Sequence, residues 1–362
     1  MRKARWLAPW KDSGEKPAIY HCISRVVDRR FVFGDAERER FRMCMRMQEN
    51  FSGCRVLSYC VMSNHFHILL EVPPMPACPD EPGRVGISDD ELLKRLSAIH
   101  TEAAVTAVAQ ELADARKSGN QAHVAEIHER FTYRMHNLSE FMKALLIRFT
   151  RWFNRTHDRS GTLWEERFKS VIVESGVAAR TMAAYIDLNP VRAGLVSDPA
   201  DYRWSSYGEA VGGGPKGNGK KAREGLVRAC LSHQGAGFES QNWREVSQIY
   251  RRTMGLALGR KSGRAALGPS PAVTKNTAEM LESDDNETVL PAPDMAAMLR
   301  HRVRYFTDGA VIGGRAFVNE AFAAARERFS ERRRDGARRM RGSGKPAAGV
   351  LWSMRDLRMD IA

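Results

Sequence analysis

The 362-residue sequence has no Cys-x-x-Cys pair, because its six cysteines, Cys22, Cys44, Cys54, Cys60, Cys78 and Cys230, are scattered along the chain. That argues against a disulfide framework, suits a reducing compartment and predicts mostly buried thiols. No stretch approaches the roughly 18 continuous apolar residues of a membrane helix. The basic N-terminus, with Arg2, Lys3, Arg5 and Lys11, is not followed by the apolar core of a secretory signal, so a cytoplasmic protein without a membrane partner is expected. Internal repeats and a Gly-rich phosphate loop of the Walker type are also missing, which removes repeat architectures and a built-in helicase motor. Acidic residues are in deficit: 43 Asp and Glu stand against 57 Lys and Arg, a formal net charge of +14. Such an excess calls for a polyanionic partner. With 43% hydrophobic and 28% charged residues the chain has the make-up of packed domains, not of wholesale disorder.

At about 150 residues per domain the length suggests two or three modules. A basic arm spans residues 1–17. Residues 18–26 read as a strand and 35–50 as a helix. The apolar runs 55–62 and 65–72, separated by the turn formers Ser63 and Asn64, favour an antiparallel hairpin. Pro73, Pro74, Pro76, Pro79 and Pro82 then open an insertion over about 73–135, with two helices expected to join near Ser118, Gly119 and Asn120. Apolar residues from Leu138 to Phe153 recur at three- and four-residue steps, which marks an amphipathic helix over 138–157, with Ser139 as the candidate N-cap and Asn137 as the alternative. A strand at 167–174 and a helix at 177–189, ended by Pro190, complete an α+β core in the order strand, helix, hairpin, helix, strand, helix. This module closes near Gly208. A linker at 209–224, a small helical module at 225–267, a polar linker at 268–295 and a basic helical module at 296–362 follow. In the last, Arg326 to Arg341 is either a solvated helix face or a nucleic-acid contact. The runs flanking Gly313 and Gly314 permit a helix-turn-helix, and equally a packing or dimerisation role.

The sharpest chemical feature is His65-Phe66-His67 on an expected strand. Period-two geometry puts both imidazoles on one face and Phe66 on the other. Two imidazoles on one face can share a divalent ion, although a half-buried strand also produces this pattern by chance. Tyr185 and Asn189 lie four residues apart on the last core helix, so a phenol and an amide project from one side, a turn apart. A zinc set of Cys54, Cys60, His65 and His67 lacks the tight paired spacing such sites use.

Five ordered segments carry a resemblance. They are Tyr20-His21-x-x-Ser24-Arg25; Val61-Met62-x-Asn64-His65-Phe66-His67; Gly161-x-Leu163-Trp164-Glu165-x-Arg167-Phe168; Tyr185-Ile186-x-Leu188-Asn189-Pro190-Val191-Arg192-Ala193-Gly194; and Trp204-Ser205-Ser206-Tyr207. Together they resemble the single-tyrosine HUH transposases, most closely their REP-associated branch, over residues 18–208 apart from the insertion. The resemblance implies a ferredoxin-like antiparallel sheet with helices packed on one face. It also implies nicking and rejoining of single-stranded or hairpin DNA through a 5′-phosphotyrosine intermediate. Tyr185 matches the nucleophile, and His65 and His67 match the pair that binds Mg²⁺ or Mn²⁺. Asn189 matches the helix position of a third ligand and is otherwise a helix cap before Pro190. The residue types suit that chemistry, since a phosphotyrosine ester keeps the bond energy for rejoining and a divalent ion neutralises the scissile phosphate. Thr181 and Asn189 occupy the positions one turn from Tyr185, so the replication initiators with two tyrosines match less well. Tyr20, Tyr59 and Tyr133 are the weaker candidates. His21 on the first strand either faces the site or packs.

DNA would be held by cations and aromatic stacking. Arg167 is the foremost candidate, with Lys169 and Trp164 beside it, Arg148, Arg151 and Arg155 on the preceding helix, and Arg192 after the catalytic helix. Trp164 has core packing as its alternative fate. The competing functions are a domesticated, non-catalytic hairpin-binding protein, a rolling-circle replication initiator and a basic RNA-binding protein. The enzyme is expected to act as a monomer or a homodimer.

Overall fold

The computed structural model describes residues 6–11, 14, 16–78, 86–213, 218–231, 243–257, 306–307, 309–339 and 351–354. The first part of the chain forms β1 (Ala18–Arg25), α1 (Asp35–Ser52), β2 (Arg55–Val61) and β3 (His65–Val72). The insertion holds α2 (Asp89–Leu96), α3 (Glu102–Lys117) and α4 (Gln121–Thr132). After it come α5 (Leu138–Thr156), β4 (Lys169–Val173), α6 (Val177–Asp187) and the short α7 (Asn189–Arg192). The remainder adds α8 (Ser206–Gly212), α9 (Asn218–Cys230), α10 (Trp243–Ala257), β5 (Val311–Gly313), α11 (Arg315–Ala323), β6 (Arg338–Arg339) and β7 (Trp352–Met354). No helix among the described residues is long and apolar enough to cross a membrane.

The sheet runs β2-β3-β1-β4-β5-β7-β6. Its first four strands, with α1 after β1 and α5 after β3, have the connectivity and order of the ferredoxin-like core. β1 lies antiparallel to both neighbours, with Arg25 opposite His65 and His21 opposite Val171. α1 is bounded by backbone chemistry at both ends. Its Gly34 N–H donates to the Glu37 carboxylate at 2.8 Å, and it stops at Gly53 in the left-handed region at φ 72°, where a Cβ would lie 2.4 Å from the His136 ring. Asn137, not Ser139, caps α5, accepting from the Ser139 and Glu140 amides at 2.9 and 3.1 Å.

Strand alternation assigns the two faces. Phe66 meets Phe41 of α1 at 4.6 Å, and Phe149 of α5 closes on Phe41 at 5.2 Å, so α1 and α5 cover the Phe66 face. The adjacent His67 points the other way and meets Tyr185 of α6. Helices thus lie on the expected face and on the opposite one too. α6 is buried along Ala178–Asp187, as a helix apolar nearly all round should be.

The range 209–224, expected as a linker, contains most of α8 and the start of α9. α9 packs on β2 and reaches the buried Glu71 of β3 through Arg228, so it belongs to the sheet layer. Its Gly- and Lys-rich start resembles a linker, but Ala222, Gly225, Leu226 and Ala229 form a small, apolar contact stripe. A Cβ at Gly225 would sit 2.4 Å from the Val56 carbonyl oxygen. We expect Gly225→Ala to lower stability by about 1–3 kcal/mol, read as a fall in the urea midpoint at unchanged slope.

The insertion has three helices instead of two, α3 and α4 joining at Gly119 as expected. They share a small core of their own with Leu92, Leu96, Leu112, Val124 and Ile127. The C-terminal third is not wholly helical. β5 pairs parallel to β4, and β7 and β6 continue the sheet antiparallel. Within the segment considered for a helix-turn-helix, Val311–Gly313 is a strand and Arg315–Ala323 a helix. The linker expected at 268–295 lies outside the described residues, as do Arg2, Lys3, Arg5 and Arg341. Residues of the expected N-terminal arm pack on the C-terminal part, Trp10 against Phe317 at 5.2 Å. Five cysteines are buried, Cys230 is half-buried, and none is bonded to another.

Candidate active site

The site forms where the ends of β1 and β3 meet the segment leading into β4. Val27 N–H donates to the Leu163 carbonyl at 3.0 Å and Glu165 N–H to the Arg25 carbonyl at 2.9 Å, which fixes the loop 163–167 against the end of β1. A cleft of about 560 Å³ opens there. His65 and His67 line it together with Arg25, Arg29, Arg167 and Lys169, and Glu165 and Glu166 sit among the cations.

His65 and His67 share one strand face, their rings edge-to-face at 5.1 Å. Each has its Nδ1 engaged by a neighbour: His65 Nδ1 lies 2.7 Å from Asn64 Oδ1, and His67 Nδ1 lies 3.0 Å from His21 Nε2. A ligand bond from either ring would therefore use Nε2, and second contacts of this kind hold metal-binding imidazoles in place. The pair fits a divalent cation. Among the described residues no group of three or more His, Cys, Asp or Glu side chains is placed to hold a metal. His21 is fully buried, and burial pushes its imidazole down to about 4, so the ring is neutral at physiological pH. Its Nδ1 faces the Phe306 carbonyl at 2.7 Å.

Tyr185 is 1% exposed. Its ring stands edge-on to His67 at 6.1 Å and to His21 at 6.2 Å, with Phe306 against it at 4.6 Å. Arg192 folds back from α7, its guanidinium 4.3 Å from the Tyr185 ring centroid and donating to the Tyr185 carbonyl. Asn189 performs the cap role, its Nδ2 donating to the Tyr185 and Ile186 carbonyls at 3.1 Å each. A ligand role would fall to its Oδ1. The end of α6 is anchored by the buried Asp187, which accepts from the Tyr207 amide at 3.0 Å and the Tyr250 hydroxyl at 2.6 Å. Burial pushes that carboxyl up to about 7. The Trp204-Ser205-Ser206-Tyr207 segment thus has a positional role: it binds the edge strand β2 through the Trp204 carbonyl and Ser206 hydroxyl while Tyr207 holds the Tyr185 helix.

The structure does not bring all expected DNA contacts together. Arg167 and Lys169 are exposed in the cleft. Arg148, Arg151 and Arg155 are on α5, which covers the opposite face, and Arg148 donates to the Ile99 carbonyl of the insertion. Trp164 is half-buried against the core, packed on Phe33, Phe66 and Phe149 and donating from Nε1 to Thr150. Sequence reasoning missed Arg29 and Glu166 as cleft residues. Arg25 and Glu165 fell inside quoted motifs, and their motif positions were the available signal.

Residues 16–79, which contain β1, α1, β2 and β3, match the family model described as "Transposase IS200 like". No curated protein matches the chain. A solved structure of a REP-associated tyrosine transposase bound to a REP hairpin is 13% identical and covers 60% of this chain and 90% of its own. Its TM-score is 0.36, which does not equate the two folds. The resemblance to the single-tyrosine transposases read from the motifs is therefore supported by the family match over residues 16–79, and with it a transposase-type function.

Proposed function

We propose that this protein is a DNA transposase that nicks and rejoins single-stranded DNA beside a hairpin through Tyr185. The observation that supports this most is the placement of Tyr185 against His67 within one chain, behind a cation-lined cleft. The phenolate oxygen would attack the scissile phosphorus, forming a 5′-phosphotyrosine ester while the bond to the 3′ oxygen breaks and leaves a 3′ hydroxyl. Attack by a 3′ hydroxyl on the ester restores the phenol and joins the strands without ATP. His65 and His67, with Asn189 Oδ1, would hold Mg²⁺ or Mn²⁺, which when bound supplies charge neutralisation at the phosphate oxygens. Arg25, Arg29, Arg167 and Lys169 would position the backbone, and their contribution falls with salt. Tyr185 is 1% exposed with Phe306 against its ring, so the phenol must be uncovered before it can reach a phosphate. This burial, and the capping role of Asn189, favour the second reading, a non-catalytic hairpin-binding protein.

The experiment is incubation of the full chain with Mn²⁺ and labelled hairpin DNAs carrying single-stranded flanks. A denaturant-resistant protein-DNA band supports the enzyme; tight, salt-sensitive binding without a band supports the binding protein. Phe31, two residues after the cleft-lining Arg29 and 82% exposed, would stack on an unpaired base. Phe31→Ala is expected to weaken single-strand binding by about 1–3 kcal/mol, measured by fluorescence anisotropy, with no change in unfolding midpoint because the ring is almost wholly solvated.

A further inference from the structure

The two cleft histidines are each connected to a backbone carbonyl through one intervening side chain, and the two carbonyls lie far apart in sequence. On one side Asn64 Nδ2 donates to the Arg29 carbonyl at 2.9 Å, which turns Oδ1 toward His65 Nδ1. A carboxamide oxygen can only accept, so His65 Nδ1 carries the hydrogen. On the other side the Phe306 carbonyl faces His21 Nδ1 at 2.7 Å, and it too can only accept. His21 Nδ1 then carries the hydrogen, and in a ring with 0% exposure whose two nitrogens meet a backbone carbonyl and another imidazole, with no carboxylate at either, Nε2 is left as the acceptor. His67 Nδ1, 3.0 Å away, must donate to it. Turning either relay around would set a lone pair against a carbonyl oxygen at hydrogen-bond distance.

We propose that the Arg29 and Phe306 carbonyls, acting through Asn64 and His21, hold His65 and His67 in the tautomer that presents the Nε2 lone pair to the cleft. His21 is thus a positioning residue, and the C-terminal third, through Phe306, is an outer support of the site. Nothing in the residue pattern of β1 or β3 could supply that support, because a neutral His21 alone is free to take either tautomer. The inference rests on the proposed function only in that the pair is there to bind a divalent cation.

The test begins with long-range ¹H–¹⁵N spectra of the metal-free full chain labelled at histidine. His65 and His67 are expected as Nδ1–H tautomers, and an Nε2–H tautomer at His67 overturns the inference whatever the DNA assays show. Mn²⁺ binding, followed by the electron paramagnetic resonance of the free ion, then compares two variants. His21→Leu is expected to weaken Mn²⁺ binding about 10–100-fold, the usual cost of losing such a partner. His21→Gln, whose amide offers a donor to Phe306 and an acceptor to His67, should stay within about threefold of the parent. Parental affinity in the Leu variant, or equal losses in both, overturns the inference. Should the Leu variant fail to fold by circular dichroism, the parent spectrum and the Gln variant still decide it. A parent that binds no Mn²⁺ counts against the metal role in the proposed function, while the tautomer spectrum judges this inference separately.

Discussion

Tyr185→Phe is expected to abolish the covalent protein-DNA band and to lower strand cleavage by at least about 1,000-fold, while DNA affinity changes by less than about threefold. The substitution removes one oxygen and keeps the ring that packs on Phe306 and beneath the Arg192 guanidinium, so the helix and the cleft should persist. The other described tyrosines give no substitute. Tyr20 accepts from the Ala8 amide, Tyr202 donates to the Val61 carbonyl, and Tyr250 donates to Asp187. Tyr59 donates to Glu209, and burial beside that carboxylate holds its phenol well above the usual range. Tyr207 accepts from Arg251, and its phenol is pushed up to about 12 by burial. Tyr133 is exposed on the insertion, outside the cleft lining. A gel of parent and variant with labelled hairpin and Mn²⁺ checks the expectation, and a band surviving in the variant assigns the nucleophile elsewhere.

The parts of the fold that could be read from sequence are those whose signal is local. Strand alternation placed His65 and His67 on one face and Phe66 on the other because a two-residue period needs no knowledge of the partner. The Ser63-Asn64 turn announced the hairpin for the same reason. What a face packs against is a long-range property, which local patterns do not carry. The arginines of α5 looked like a DNA-binding stripe, yet their helix covers the sheet face that His65 and His67 do not share. Trp164 stands in a polar, arginine-rich stretch, but the aromatic cluster that claims it comes from Phe33, Phe66 and Phe149. The first half of α9 looked like a linker because Asn218, Gly219, Lys220 and Lys221 make a sequence look flexible, although the helix they open packs on β2. His21 and Phe306 meet across 285 positions, so their link could not be anticipated from either neighbourhood.

The largest stability loss is expected at Glu209, a residue with no part in the chemistry. Its side chain is fully buried, and it accepts from Arg42 and Arg46 at 2.7 Å each and from the Tyr59 hydroxyl at 2.8 Å. Removing it leaves two arginines in low dielectric and a buried phenol without its acceptor, which costs about 3–5 kcal/mol when one partner of a buried ionic cluster is lost. Glu39 on Arg42 and Glu49 on Arg46 remain as partial counter-charges, which puts Glu209→Ala toward the lower end of that range. Glu209→Gln keeps the volume and one acceptor for Tyr59 but not the charge, so it separates packing from electrostatics and should recover less than half of the loss. Urea unfolding at low and high salt reads both. A buried cluster is screened weakly, so the loss should hardly change with ionic strength, whereas a loss that vanishes at 1 M salt would make the cluster a surface ion pair in effect. Because Glu209 lies one turn beyond Ser205, and Tyr207 between them holds Asp187 of the Tyr185 helix, weakening this cluster should also loosen the nucleophile. The Gln variant, assayed below its unfolding range, is therefore expected to retain DNA binding while forming the covalent band more slowly than the parent.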